Sequence, residues 1–191
     1  MTVRYTVTPR PTAHKFDVVL EIDSPAPEGH VVSLPAWIPG SYMIRDFAKH
    51  IVALDATADG RSIAATKRDK QTWVLAPTTG PVRVAYSVHA WDLSVRKAHL
   101  DATHGYFNGT SVFLRVDGAD HAPCDVVLAK PEGEAYADWR VATTLPRVGG
   151  EALGFGDFRA RDYDELIDCP VEMGTFVHGT FEAGGIPHEV A

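Results

Sequence analysis

The chain has 191 residues, 45% of them apolar, and a formal net charge of −7. That length suits one domain, or one domain with a fragment of a second, and the apolar share is enough for a packed core. No apolar run approaches the roughly 20 residues that span a bilayer, and no basic patch marks a nucleic-acid surface, so neither a membrane span nor a nucleic-acid partner is expected.

The N-terminus, MTVRYTVTPRP, lacks the apolar segment of a secretory signal, and its Val3, Tyr5 and Val7 alternate as in a strand. The reading is of a soluble chain, cytoplasmic or exported with its signal peptide absent, and the sequence does not choose between them. FDVVLEID (16–23) continues the period-two pattern, and SPAPEGH (24–30) is a turn-rich connection. VVSLPAW (31–37) is extended and is broken by Pro39-Gly40.

The stretch LPAWIPGSYMIRD (34–46) is too broken for a helix and too apolar for an ordinary surface loop. Pro35, Pro39 and Gly40 fix an irregular backbone there. Trp37 and Tyr42 offer large surfaces with a polar tip, and Arg45 could hold the corner through Asp46. It reads as a structural corner, a substrate contact, or both.

HIVALDATA (50–58) alternates again, and Asp59-Gly60 is a strong hairpin signal. QTWVLA (71–76), VRVAYSVHAW (82–91), TSVFLRV (110–116), CDVVLAK (124–130) and WRVATTL (139–145) complete the predicted strands. Short strands between Gly/Pro turns argue for a mainly β fold over residues 1–155, an antiparallel sandwich or barrel; the expected fold class is an antiparallel β-sandwich or saddle-like domain.

The pattern changes at RVGGEALGFGD (147–157). Asp162 is placed to cap a short helix over 163–168, with Glu165 completing a capping box. GTFVHGTFEAGGIPHEVA then reads as strand, turn and strand. Residues 156–191 are expected to be a linker and the opening of another domain. From residue 151 onward Arg159 and Arg161 stand against nine acids, a balance that could attract a cation such as a free amine.

Most local motifs are incomplete. Cys124 and Cys169 form neither a disulfide framework nor a metal cluster and read as free, at least partly buried thiols. HLDATH (99–104) has residue types that suit zinc, but on one continuous strand His99 and Asp101 would face one side and His104 the other. No metal site is therefore expected there, and no zinc in this chain. His188-Glu189 lacks the second histidine of a H-E-x-x-H helix. Ser41 follows Pro-Gly as a turn residue does, and GFGDFR (154–159) lacks the third glycine of a dinucleotide loop. Asn108 opens an NGT glycosylation sequon, which matters only in a eukaryotic secreted context.

Four blocks, in order, carry a resemblance. LPAWIPGSYMIRDFAKHI (34–51), DKQTW (69–73), SVRKAHLDATHGYFNGTSVFLRV (94–116) and YDELIDCPVEMG with the following GGIPHEVA (163–191) together resemble the glycyl aminopeptidases, zinc metallopeptidases of peptidase family sixty-one. The resemblance implies a non-catalytic N-terminal β domain followed by the start of a thermolysin-like catalytic domain. The zinc motif would lie downstream, so no cofactor is expected in this chain and zinc is expected in the full-length enzyme. The implied partners are a peptide with a free N-terminus and the catalytic domain. The resemblance places Glu172 where related aminopeptidases bind the substrate amine, with the main chain of Met173 and Gly174 aligning the peptide. Tyr42 and Arg45 belong to a signature segment beside the cleft.

Two other readings stay open from the residues. One is a free-standing β-sandwich module binding carbohydrate or protein on Trp73, Trp91, Tyr106 and Phe107. The other is a small metal hydrolase using His99, Asp101 and His104.

Overall fold

In the computed structural model, which describes residues 1–24 and 26–191, the N-terminal alternation becomes strand β1 (Val3–Arg10), with Val3, Tyr5 and Val7 buried. β2 (Lys15–Ile22) follows, and Pro25 of the predicted 24–30 connection lies outside the described residues. β3 (Val31–Ser33) is cut short by the 34–46 stretch. β4 (Ile51–Ala58) and β5 (Arg61–Ile63) form the hairpin expected at Asp59-Gly60, whose φ angles of 48° and 73° suit the left-handed turn that glycine favours. β6 (Ala65–Lys67), β7 (Thr72–Leu75), β8 (Val82–His89), β9 (Ala98–Leu100) and β10 (His104–Phe107) come next. Then come β11 (Arg115–Val116), β12 (Cys124–Leu128), β13 (Arg140–Thr143) and β14 (Gly156–Ala160). The helix α1 (Tyr163–Asp168), β15 (Val171–Gly174), β16 (Gly179–Ala183) and β17 (Ile186–Val190) end the chain.

The fold is mainly β, with 46% of residues in strands and 10% helical. One sheet has seven strands in the order β14-β12-β1-β2-β8-β4-β5, and its β1–β12 pair is parallel while the rest are antiparallel. Two four-stranded antiparallel sheets, β13-β15-β10-β9 and β11-β3-β7-β6, share its core. A line of edge-to-face rings joins two of these sheets: Phe16 of β2 meets Phe107 of β10 at 5.1 Å, Phe107 meets Phe113 at 5.7 Å, and Phe113 meets Tyr5 of β1 at 5.1 Å. Each such pair adds about 0.5–1.5 kcal/mol beyond burial.

The predicted strand over 110–116 is the main departure. Only Arg115 and Val116 are extended in a ladder, and a 3₁₀ turn over Gly109–Ser111 precedes them, capped by the Asn108 side chain. Val112, Phe113 and Leu114 are all fully buried, so this segment has no solvent face. Buried main-chain groups need partners, and three buried tyrosines supply them. Tyr86 donates to the Val112 carbonyl at 2.8 Å and accepts from the Leu114 amide at 3.2 Å. Tyr163 donates to the Phe113 carbonyl at 2.7 Å, and Tyr5 to the Leu114 carbonyl at 2.6 Å. Burial holds all three phenols well above their ordinary pKa. Thr110 is fully buried too, and its hydroxyl donates to Oδ1 of the part-buried Asn108.

The expected junction near residue 155 is not where packing breaks. β14 pairs with β12 at the edge of the large sheet, and β15 sits between β10 and β13. β16 and β17 pair only with each other among the described strands. Cys124 and Cys169 are buried free thiols, and burial pushes the Cys124 thiol up to about 12. Among the described residues no helix is long and apolar enough to cross a membrane.

Candidate functional site

In the β13-β15-β10-β9 sheet, strand register decides which side chains meet. Tyr106 of β10 lies across from Glu172 of β15 on one side and His99 of β9 on the other. Ala142 of β13 flanks Glu172, and His104 and Arg140 flank Gly174. Side chains alternate along a strand, so His99, His104, Tyr106, Arg140 and Glu172 share one face. The opposite face, with Phe107, Leu100, Val141, Val171 and Met173, is core.

Among Glu172, Met173 and Gly174, only Glu172 presents a side chain to this face. Met173 is fully buried, and its main chain pairs with Gly105 and Val141. Gly174 has a φ of 151°, and a Cβ there would lie 3.1 Å from that of His104. Both positions hold the sheet together, and the expected alignment of a peptide by the β15 main chain has no free strand edge to use.

Glu172 is half-buried and lines a cavity of about 290 Å³ with Tyr106, Thr143, Thr144, His178 and Glu189. Burial pushes its carboxyl up from the ordinary value, and nearby His104 partly opposes that. Burial also raises the Tyr106 phenol, with the Glu172 charge adding to the effect, and the phenol donates to the Val95 carbonyl at 2.8 Å. Among the described residues no donor hydrogen-bonds the Glu172 carboxylate, and no Lys or Arg pairs with it. Arg140, the cation on the same face, instead bonds the Phe176 carbonyl and lies 4.6 Å over the Phe176 ring.

The HLDATH residues do not form one strand, and this corrects the geometry expected from the sequence. β9 ends at Leu100, residues 101–103 turn, and β10 starts at His104. The reversal brings His99, Asp101 and His104 to one side, with a potential ligand atom of each within 4.8 Å of the others. Asp101 Oδ1 accepts from the Thr103 amide at 2.7 Å, the Thr103 hydroxyl at 2.6 Å and the His104 amide at 3.0 Å. Its Oδ2 lies 3.2 Å from His99 Nε2. These bonds, led by the Thr103 hydroxyl, hold the Asp101 carboxyl well below the usual carboxylate range.

Tyr42 and Arg45 lie elsewhere. Tyr42 is 83% exposed, with its ring 5.8 Å from that of Trp37. It lines a cavity of about 570 Å³ with Leu34, Trp37, Arg115, Tyr163 and Asp164, and no residue lines both this cavity and the Glu172 one. Arg45 does hold the corner, but not through Asp46. Its guanidinium donates to the Met43 carbonyl at 2.9 Å and the Ser41 hydroxyl at 3.0 Å, and its amide to the Ala36 carbonyl at 2.7 Å. Asp46 has a left-handed φ of 50° and faces Lys70, at 2.7 Å. The 34–46 stretch is thus a built corner that displays Trp37, Tyr42, Met43 and Ile44.

The alternative binding platform does not assemble, because Trp73 and Phe107 are buried while Trp91 is 56% exposed. His188 and Glu189 lie on strand β17, not on a helix. Sequence reading missed His104, Tyr106 and Arg140 as companions of Glu172. The alternation in HGYF placed two of them on one face, but only the register set that face beside β15.

Residues 4–175 match the family model for the peptidase M61 N-terminal domain. The chain belongs to this family. The M61 N-terminal domain model ends one residue beyond β15, where pairing with the main sheets also ends. The crystal structure of an aminopeptidase N family protein from Idiomarina loihiensis is similar over 98% of this chain, at 43% identity and a TM-score of 0.93. The chain spans 32% of that protein's length. No curated protein sequence matches. The chain is thus a peptidase M61 N-terminal domain.

Proposed function

We propose that residues 1–191 are the non-catalytic N-terminal part of a zinc aminopeptidase of the glycyl aminopeptidase type, and that Glu172 binds the protonated α-amine of the peptide. One observation carries this. A half-buried carboxylate faces a cavity, desolvation disfavours its charge, and only the nearby His104 partly offsets that. An entering ammonium would supply charge-assisted hydrogen bonds and offset that desolvation.

The β16–β17 hairpin supports a catalytic domain as partner. It pairs with no other described strand, and it exposes Phe181, Ile186 and Val190 by 52–62%. We read it as the first segment of that domain. A zinc peptidase needs His-Glu-x-x-His on a helix, and His188-Glu189 on a strand does not fit that ligand set. The zinc, which would polarise the peptide carbonyl and activate water, belongs in this reading to the catalytic domain. This chain shapes one wall of the cleft and anchors the amine.

The test is Glu172→Gln in the longer protein that carries this domain, assayed on one peptide with a free and an acetylated N-terminus. The variant should lose kcat/KM for the free peptide and much of its preference over the acetylated one. An unchanged preference would remove Glu172 as the anchor.

A further inference from the structure

The loop joining β9 to β10 holds the one group of three or more metal-ligating side chains among the described residues. Three features set it apart from a chance cluster. First, the donors are two imidazoles and one carboxylate, the set that borderline divalent ions such as zinc take, whereas calcium and magnesium prefer oxygen. Second, Asp101 is already oriented: three donors hold its Oδ1, and Oδ2 accepts from none of them and faces His99. Hydrogen bonding of this kind is what fixes ligating carboxylates in metal sites. Third, His99 is 7% exposed, and its Nδ1 is buried without a hydrogen-bond partner among the described residues. A buried imidazole nitrogen without a partner carries a cost that a purely structural histidine would be expected to avoid.

The surroundings complete the site. The Trp91 ring stacks on His99 at 5.1 Å and 28°, and the His104 ring lies 5.0 Å from that of His99. The His99 ring is therefore packed against two others. The side chains of Asp101 and His104 are 27% and 33% exposed, which leaves a path for an ion.

We infer that His99, Asp101 and His104 form a binding site for a divalent transition ion of zinc type, with the remaining position open on the Glu172 face of the sheet. This reverses the expectation, drawn from a single-strand reading, that the chain holds no metal. It is independent of the amine-binding reading, because none of its ligands is Glu172.

The test is titration of Zn²⁺ alone into the 191-residue chain, followed by calorimetry and equilibrium dialysis, with NMR of the histidine rings. One Zn²⁺ should bind per chain, shift the ring signals of His99 and His104, and raise the Tm with ion concentration. His104→Ala should cut affinity by more than the roughly 10–100-fold typical of losing an outer-shell partner, and Thr103→Ala should fall within that range. His178→Ala, which removes an imidazole 3.5 Å from Glu189, should change nothing. Asp101→Asn could fail to fold because Asp101 also closes the turn, so His104→Ala decides the matter. Failure to bind Zn²⁺ stoichiometrically would overturn the proposal. So would binding that His104→Ala leaves intact or that His178→Ala abolishes.

Discussion

Tyr106 stands directly across from Glu172 in the β10–β15 pairing, and the Glu172 carboxylate makes the charged form of the phenol harder to hold. Desolvation raises the Glu172 carboxyl, and that carboxylate in turn raises the phenol. A carboxylate whose charge burial disfavours and only His104 partly offsets is costly in stability terms and receptive in binding terms.

This sets the pH dependence of Glu172→Gln. The folded carboxyl titrates above its unfolded value, so the native state binds more protons and stability falls as pH rises through that interval. The penalty is absent below the ordinary carboxylate range and complete above the raised value. Glu172→Gln removes it, so the variant should be at least as stable as the parent at neutral pH, and its advantage should vanish in acid. Thermal unfolding of both proteins across pH checks this, and a variant with lower Tm at neutral pH would contradict it.

Tyr86→Phe should be costly although it adds no cavity. The hydroxyl serves the Val112 carbonyl and the Leu114 amide together, in a fully buried segment with no ladder of its own. Leaving such groups unpaired costs about 1–3 kcal/mol each. Denaturant unfolding should show a loss in that range with an unchanged m-value, and a loss below ~0.5 kcal/mol would mean that water reaches the gap.

The same segment shows what the sequence could and could not convey. Alternation in 3–7, 16–23 and 82–91 was readable because one face of each strand is buried and the other is not. Residues 112–114 are buried on every side, so periodicity has nothing to report there, and tyrosines from 26 to 109 positions away satisfy the main chain. The HLDATH turn was misread for a related reason: a three-residue reversal erases the period-two rule at the point where the rule was applied. Glu172 is singled out only by the family resemblance, while the meeting of His104 and Tyr106 with it depends on pairing between distant strands. Asp162 was legible because capping is local chemistry.

That cap gives a prediction of opposite sign to Glu172. Asp162 Oδ1 accepts from the Glu165 amide at 2.8 Å, and Glu165 reaches back to the Arg161 amide at 2.6 Å. The Glu165 bond lowers the Asp162 carboxyl, aided by Arg161. A depressed folded value contributes stability above the ordinary carboxylate range and loses it as pH falls through the folded value. Asp162→Ala should therefore cost about 1 kcal/mol at neutral pH and less in strong acid. Asp162→Asn keeps the acceptor and should cost less than Asp162→Ala, with a flatter pH profile.

The β16–β17 hairpin should be separable from the rest. A two-stranded ribbon is marginal alone, and the ties from this one to the body are weak. His178, just before the ribbon, meets the exposed Glu189 at 3.5 Å, a pair worth about 0–1 kcal/mol. Phe181 stacks on His188 within the ribbon. The Arg140–Phe176 contact precedes the hairpin and survives if the chain is cut after Val177. Deleting residues 178–191 should then leave the cooperative unfolding of the domain within about 0.5 kcal/mol of the parent, as for changes at exposed sites. Amides of 179–190 should exchange far faster than those of β1, β2 and β8. Joining the chain to the proposed catalytic domain should slow exchange in the hairpin selectively, because its exposed Phe181, Ile186 and Val190 would gain a surface to pack on. A deletion that unfolds the domain would show the hairpin to be integral to it. Unchanged hairpin exchange in the longer protein would count against its being the first segment of that partner.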